Sequence, residues 1–104
     1  MKTIRQVEFK KVVQVETMPA KEDMEQFILY VSKKYRVSIH LCLCGECGEQ
    51  TVLPFSKIID GRDIGWTHEE DSQGRYTMRP SIGNYQMPCK SHYIITNNKA
   101  NFVL

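Results

Sequence analysis

The sequence predicts a small α+β domain, rich in short strands and poor in helix. Three observations carry that reading. Apolar and polar residues alternate at a period of two over residues 4–16 and again over 37–44, Phe27 to Ser32 (FILYVS) is an aromatic and β-branched run, and Asn97-Asn98 separates two alternating segments near the C-terminus. A period of two places every second side chain on one face of a strand, the pattern of a half-buried sheet.

Taken in order, residues 4–16 (IRQVEFKKVVQVE) read as one strand with Val7, Phe9, Val13 and Val15 on one side, and the doubled Val12-Val13 marks a bulge or an edge. Thr17 to Met24 is polar with Pro19 near its start, and is expected to form a loop or a single helical turn. Phe27 to Ser32 reads as a buried strand. Ser32 to Tyr35 can cap a short helix, yet Val37, Ile39, Leu41 and Leu43 alternate with Ser38, His40, Cys42 and Cys44, so helix and strand both stay open there. A short strand, Thr51 to Phe55, precedes a Gly- and Asp-containing surface loop, Ser56 to Gly65. Trp66, Tyr76 to Met78 and residues 89–104 read as further short strands. Asparagine tolerates positive φ, so Asn97-Asn98 is expected to turn a hairpin with Tyr93 and Ile95 on one arm and Ala100, Phe102 and Leu104 on the other. No period of 20–50 residues recurs.

With 104 residues, 41% of them apolar and 25% charged, the chain has the composition of one globular domain spanning 1–104. A domain of this size removes only about 60–70% of its unfolded surface from water, so a cross-link would matter to it. Fourteen Lys and Arg against twelve Asp and Glu leave a net charge of +2, and the basic residues are interleaved with acids, which argues against a nucleic-acid partner. The first residues lack the apolar core of a signal peptide, and no run approaches the roughly 20 apolar residues that span a bilayer. A cytoplasmic location without a membrane role is therefore expected.

In a reducing compartment, grouped cysteines point to a metal rather than to disulfides. Cys42-Leu43-Cys44-Gly45-Glu46-Cys47-Gly48 places three thiols within six residues, and Cys89 supplies a fourth. Glycines after Cys44 and Cys47 let the backbone wrap tightly and bring amide N–H groups to sulfur, the geometry of a zinc knuckle. If the preceding stretch is extended, Cys42 and Cys44 face the same way, and Cys89 from a distant strand closes a tetrahedron. The expected site is a closed structural Zn²⁺ held by Cys42, Cys44, Cys47 and Cys89. Iron remains open, and His40 or His92 is an alternative ligand.

The segments HLCLCGECG (His40 to Gly48), WTH (Trp66 to His68), MRPSIGN (Met78 to Asn84) and PCKSHYII (Pro88 to Ile95), in that order, resemble a bacterial domain-of-unknown-function family of small Cys-rich proteins with the pattern HLCPCGCG, a tryptophan, PSIGNW and PCxSHYWI. The resemblance covers residues 27–104, with residues 1–26 as an N-terminal strand and loop. This chain departs from it in having Leu43 for proline, one residue inserted before the last cysteine of the first segment, and Tyr85 for a tryptophan. The resemblance implies an origin beside genes for E1-like, E2-like and ubiquitin-like proteins. It further implies a peptidase with a serine nucleophile that matures the ubiquitin-like protein or removes it from targets.

Hydrolysis at neutral pH needs a nucleophile, a base near pKa 7 and amide donors for the oxyanion. A closed thiolate site leaves no open metal position, so hydroxyls are the candidates. Ser81, between Pro80 and Gly83, is expected on a loop that presents Oγ and backbone N–H groups together, and Ser91 is the second candidate. His92 is the first choice of base. Adjacent Ser91 and His92 point to opposite faces of a strand, so Ser81 and His92 must meet across strands. His68 is the alternative base, with Glu69, Glu70 or Asp71 available to orient its ring. His40 reads as a donor to a cysteine sulfur or as a core residue. An exposed strand edge beside residues 76–79 is expected to take an extended tail by strand addition. The competing reading is a non-catalytic zinc module that docks a conjugation enzyme.

Overall fold

A computed structural model describes residues 3–83 and 91–103. The chain runs through strands β1 (Thr3–Glu8) and β2 (Lys11–Gln14), a 3₁₀ turn (Lys21–Asp23), and β3 (Ile28–Ser32), β4 (Val37–Leu41) and β5 (Gln50–Pro54). Two short strands, β6 (Ile58–Ile59) and β7 (Arg62–Asp63), precede β8 (Thr67–Glu70), β9 (Tyr76–Gly83), β10 (His92–Thr96) and β11 (Lys99–Val103). The expected α+β class is thereby corrected to all-β, the 3₁₀ turn being the sole helical element among the described residues. Residues 33–36 form a turn rather than a helix because Arg36 takes a φ of 54°, outside the helical range.

Two sheets enclose the core. One has five strands in the order β1-β11-β10-β9-β8, and the other has four in the order β2-β3-β4-β5. Tyr76, Met78, Ile82, Tyr93, Ile95, Ala100 and Phe102 of the first pack against Leu29, Val31 and Leu53 of the second, with Phe9 and Leu43 between them. On the far side of the four-stranded sheet, Met24, Ile28, Tyr30 and Ile39 form a second cluster with Val13, Val15 and Met18. β3 is therefore buried on both faces, which explains why its sequence is a continuous apolar run rather than an alternating one.

Residues 4–16 are two strands, not one. At Phe9 and Lys10 the chain leaves one sheet for the other, Phe9 N–H donating to Asn98 O at 2.9 Å and Lys10 N–H to Phe27 O at 2.7 Å. Val7 and Phe9 accordingly face the main core, while Val13 and Val15 face the second cluster. The expected loop at 56–65 contains the β6–β7 hairpin. The Asn97-Asn98 hairpin forms as expected, with φ of 49° and 65°, and Asn98 Oδ1 accepts the Tyr76 N–H at 2.7 Å. Leu104 lies outside the described residues.

At the opposite edge the sheets are joined through residue 66: Ser56 N–H donates to Trp66 O at 2.8 Å, and Trp66 N–H to Pro54 O at 2.9 Å. That approach requires Gly65, where a Cβ would lie 2.2 Å from the Phe55 carbonyl oxygen. Gly65→Ala should therefore force the two chains apart and destabilise the protein by about 1–3 kcal/mol. At about 4–8 °C per kcal/mol for a domain of this size, thermal unfolding should show a clear drop in Tm; an unchanged Tm would show that the junction yields freely.

Candidate active site and cysteine cluster

β9 and β10 pair antiparallel with His92 opposite Gly83 and Tyr93 opposite Ile82. Along β10, Tyr93 and Ile95 are buried while His92, Ile94 and Thr96 are half-exposed, so the latter three face away from the core. Ile82 is buried and its neighbours Ser81 and Gly83 are not. Ser81 and His92 thus share the outer face on adjacent strands, one pair apart along the diagonal, where side chains still reach each other. Ser81 Oγ lies 2.8 Å from His92 Nε2. With Nε2 as acceptor, the imidazole is placed to take the hydroxyl proton as Oγ attacks a carbonyl. Ser81 sits on a strand, which corrects its expected place on a loop. It follows the Arg79-Pro80 bulge, where the register with β10 shifts.

The other candidates fall elsewhere. Ser91 is buried, on the core side of His92, as strand geometry demands. His68 is drawn to a different serine: Ser38 Oγ lies 2.8 Å from its Nε2, and its Nδ1 lies 2.8 Å from Trp66 O. A carbonyl only accepts, so Nδ1 carries the proton and Nε2 accepts from Ser38. A backbone carbonyl, not the carboxylate of Glu69, Glu70 or Asp71, orients the ring. Phe55 stacks against it at 4.3 Å between ring centroids, and burial holds the imidazole below its ordinary pKa, the Trp66 carbonyl acting in the opposite sense. Ser38 is completely buried, so its hydroxyl is less accessible than that of the half-buried Ser81. Trp66 itself reaches the outer site, its Nε1–H donating to Ser81 O at 3.4 Å. The expected free edge at residues 76–79 is absent, because β9 is flanked by β10 and β8.

Cys42, Cys44 and Cys47 come together, with their Sγ atoms all within 4.8 Å of one another. The N–H groups of Glu46 and Cys47 point to Cys44 Sγ at 3.4 and 3.3 Å, and Gly45 and Gly48 take φ of 79° and 66°. Two side chains tie the knuckle backbone to the N-terminal part of the chain: Gln26 Nε2–H donates to Cys42 O at 2.8 Å and Arg5 Nη1–H to Cys44 O at 3.4 Å. Three sulfurs at this separation suit a tetrahedral ion with S–metal bonds of about 2.3 Å. Cys89 lies outside the described residues. His40 is not a member of the group. It is fully buried, with Nε2 2.8 Å from Tyr93 Oη, and burial pushes its pKa down to about 3.

Ser38 and Tyr93, the partners of His68 and His40, are not marked as such by any motif in the sequence. The available signal was the row Ser38, His40, Cys42, polar residues at a period of two facing one way in a strand whose other face is apolar. Such a row on an inward face needs partners from the opposing sheet.

Comparison with family models then matches residues 14–103 to the family described as bacterial ubiquitination-like system serine protease (BubE). The chain belongs to that family. The BubE match begins at residue 14, ahead of the 27–104 span of the motif resemblance, and so adds the last residue of β2 and the 3₁₀ turn. Comparison with curated proteins and with solved structures returned no match. Among the described residues no helix is long and apolar enough to cross a membrane.

His68 generates a prediction about acid stability. Its folded pKa lies below the unfolded one, so the unfolded chain binds the proton first, and the contribution of the neutral ring is present above about pH 6.5 and is lost as pH falls. Compared by Tm between pH 7 and 5.5, wild type should exceed His68→Gln most at pH 7, with the gap narrowing on acidification. A gap that widens would mean that the ring is protonated in the folded state.

Proposed function

We propose that the chain is a serine peptidase of a bacterial ubiquitin-like pathway, with Ser81 as nucleophile and His92 as general base. The observation that carries this reading is the 2.8 Å approach of Ser81 Oγ to His92 Nε2 on the outer face of the five-stranded sheet. In the reaction, Oγ attacks the scissile carbonyl carbon while its proton passes to Nε2. Collapse of the tetrahedral intermediate breaks the C–N bond, and Nε2 returns the proton to the leaving amine. Water then hydrolyses the acyl-Ser81 ester by the same proton route. Gly83, beside the pair and without a Cβ, leaves room for a substrate backbone to approach. The proposed substrate is the ubiquitin-like protein of the system, cleaved at its C-terminal tail or released from a target, with E1-like and E2-like enzymes as further partners. Family membership supports the peptidase class.

We further propose a structural Zn²⁺ held by Cys42, Cys44, Cys47 and Cys89. When bound, zinc supplies a cross-link between the knuckle and the segment that leads into β10. Ser91 and His68 are assigned no chemistry in this reading.

Ser81→Ala should reduce cleavage of the ubiquitin-like precursor by at least about 10³-fold and His92→Ala by about 10²–10⁴-fold. Both should keep wild-type Tm, and fluorophosphonate labelling should vanish in Ser81→Ala. Retained labelling in that variant would move the nucleophile elsewhere, and no cleavage by wild type would favour a docking module. The protein should also carry about one equivalent of zinc by elemental analysis. Cys44→Ser or a strong chelator should release it and lower Tm; metal-free protein of unchanged stability would end the zinc assignment.

A further inference from the structure

Arg79 lies on β9, two residues before Ser81, and is exposed. Its guanidinium does not trail into solvent. Nη1 donates to Met78 O at 2.7 Å and to Ile95 O at 2.9 Å, and Nη2 donates to Thr96 Oγ1 at 2.9 Å. A guanidinium has five N–H groups, and these three bonds use both of Nη1 and one of Nη2. The contacts to consecutive residues Ile95 and Thr96 take the edge shared by Nη1 and Nη2. What remains is the Nε–H and the second Nη2–H, which lie parallel along one edge, the fork that receives both oxygens of a carboxylate. Among the described residues the ion pairs are Lys21–Glu49, Lys33–Glu70 and Arg75–Asp71, so Arg79 has no carboxylate partner there. Glu69, on the neighbouring strand and opposite Thr77, forms no ion pair with it.

We infer that Arg79 is a substrate-binding residue that receives a carboxylate of the cleaved chain. The inference rests on the peptidase reading for the meaning of that carboxylate. Its anchors on β10, Ile95 and Thr96, are three and four residues past His92, which at about 3.3 Å per residue puts the fork roughly 10 Å or more from the imidazole along the sheet. An extended peptide lying on the outer face with its scissile carbonyl at Ser81 therefore presents a group about three residues away to Arg79. That group is an acidic side chain or the free C-terminal carboxylate of a short tail. Fixing the guanidinium in advance removes the side-chain ordering that a mobile arginine would undergo on binding, which is why the two backbone bonds and the Thr96 bond matter.

The test uses the full chain and internally quenched peptides in which Glu or Gln is fixed in turn at each position around the cleaved bond, each made with a free and an amidated C-terminus. Wild type should prefer Glu over Gln at one position, or the free over the amidated terminus, by at least tenfold in kcat/KM, and which of the two identifies the source of the carboxylate. Arg79→Gln should reduce that preference to under about twofold, read as the ratio of kcat/KM between acidic and neutral peptides in the same variant, so that any general change in activity cancels. Arg79→Lys should recover part of it, and Thr96→Val, which keeps the charge and loosens its anchor, should weaken it. An acid preference that survives in Arg79→Gln, or that wild type lacks, overturns the inference while leaving the peptidase intact. Fluorescence anisotropy of the same peptides on Ser81→Ala separates the two: Arg79-dependent binding of acidic peptides without cleavage by wild type keeps the carboxylate site and removes the peptidase, and neither binding nor cleavage removes both.

Discussion

The pairing of β9 with β10 decides whether this molecule has a site at all. Shifting that register by one residue would send Ser81 into the core and Ile82 into water, because side chains alternate strictly across a sheet. Ile82, Tyr93 and Ile95 are almost wholly buried, and at about 1.5–3 kcal/mol for each large apolar side chain they oppose such a slip. Ser81 is held outward by its apolar neighbours. Between the pairs Tyr93–Ile82 and Ile95–Met78, β9 contains three residues, Arg79, Pro80 and Ser81, where β10 contains only Ile94. Proline has no N–H to give to a ladder and is tolerated within a sheet chiefly at such a bulge. The bulge ends on Ser81, which re-aims that side chain toward His92.

The strands on either side of β9 are also fixed from behind by polar groups of β4. The inward row of β4, Ser38 and His40, crosses the space between the sheets to His68 of β8 and Tyr93 of β10, both at 2.8 Å. Buried polar groups stabilise only when paired, and paired groups discriminate between arrangements that apolar packing would treat alike. Here the discrimination reaches the outer face. Tyr93 immediately follows His92, and His68 fixes the Trp66 carbonyl while the Trp66 indole holds the Ser81 carbonyl. The second serine–histidine pair thus works on the geometry of the first without sharing its exposure.

Much of this was legible in residue order. The period-two rule correctly set Ser91 and His92 on opposite faces and required Ser81 to reach His92 across strands. Asn97-Asn98 announced its turn because few residues other than glycine accept positive φ. What escaped the sequence was tertiary in origin. Residues 4–16 alternate smoothly, yet the chain changes sheets at Phe9-Lys10, a step dictated by Asn98 O and Phe27 O from distant segments. His68 precedes three acids, but on a strand its neighbour Glu69 points the other way, and the ring turns to a carbonyl two residues back. The expected edge at residues 76–79 vanished because Thr67–Glu70, too short and polar to stand out, pairs along it. Little helix was expected, and even the residues left open to it went to a turn once Arg36 adopted a left-handed φ.

The proposed choice of a hydroxyl over a thiol rests on how the cysteines are held. A thiol is intrinsically the better nucleophile, so proposing a serine nucleophile in a chain with four cysteines needs a reason. Cys42, Cys44 and Cys47 crowd within 4.8 Å of each other, their backbone tied by Arg5 and Gln26, and Cys44 Sγ already accepts from two amides. Were these sulfurs to hold the proposed cation, each would give it an electron pair and be lost as a nucleophile. Serine has no comparable structural use, but its hydroxyl is inert without a base. In the proposed site that base is His92 of the adjacent strand, whose Nε2 lies 2.8 Å from Ser81 Oγ on the outer face of the sheet.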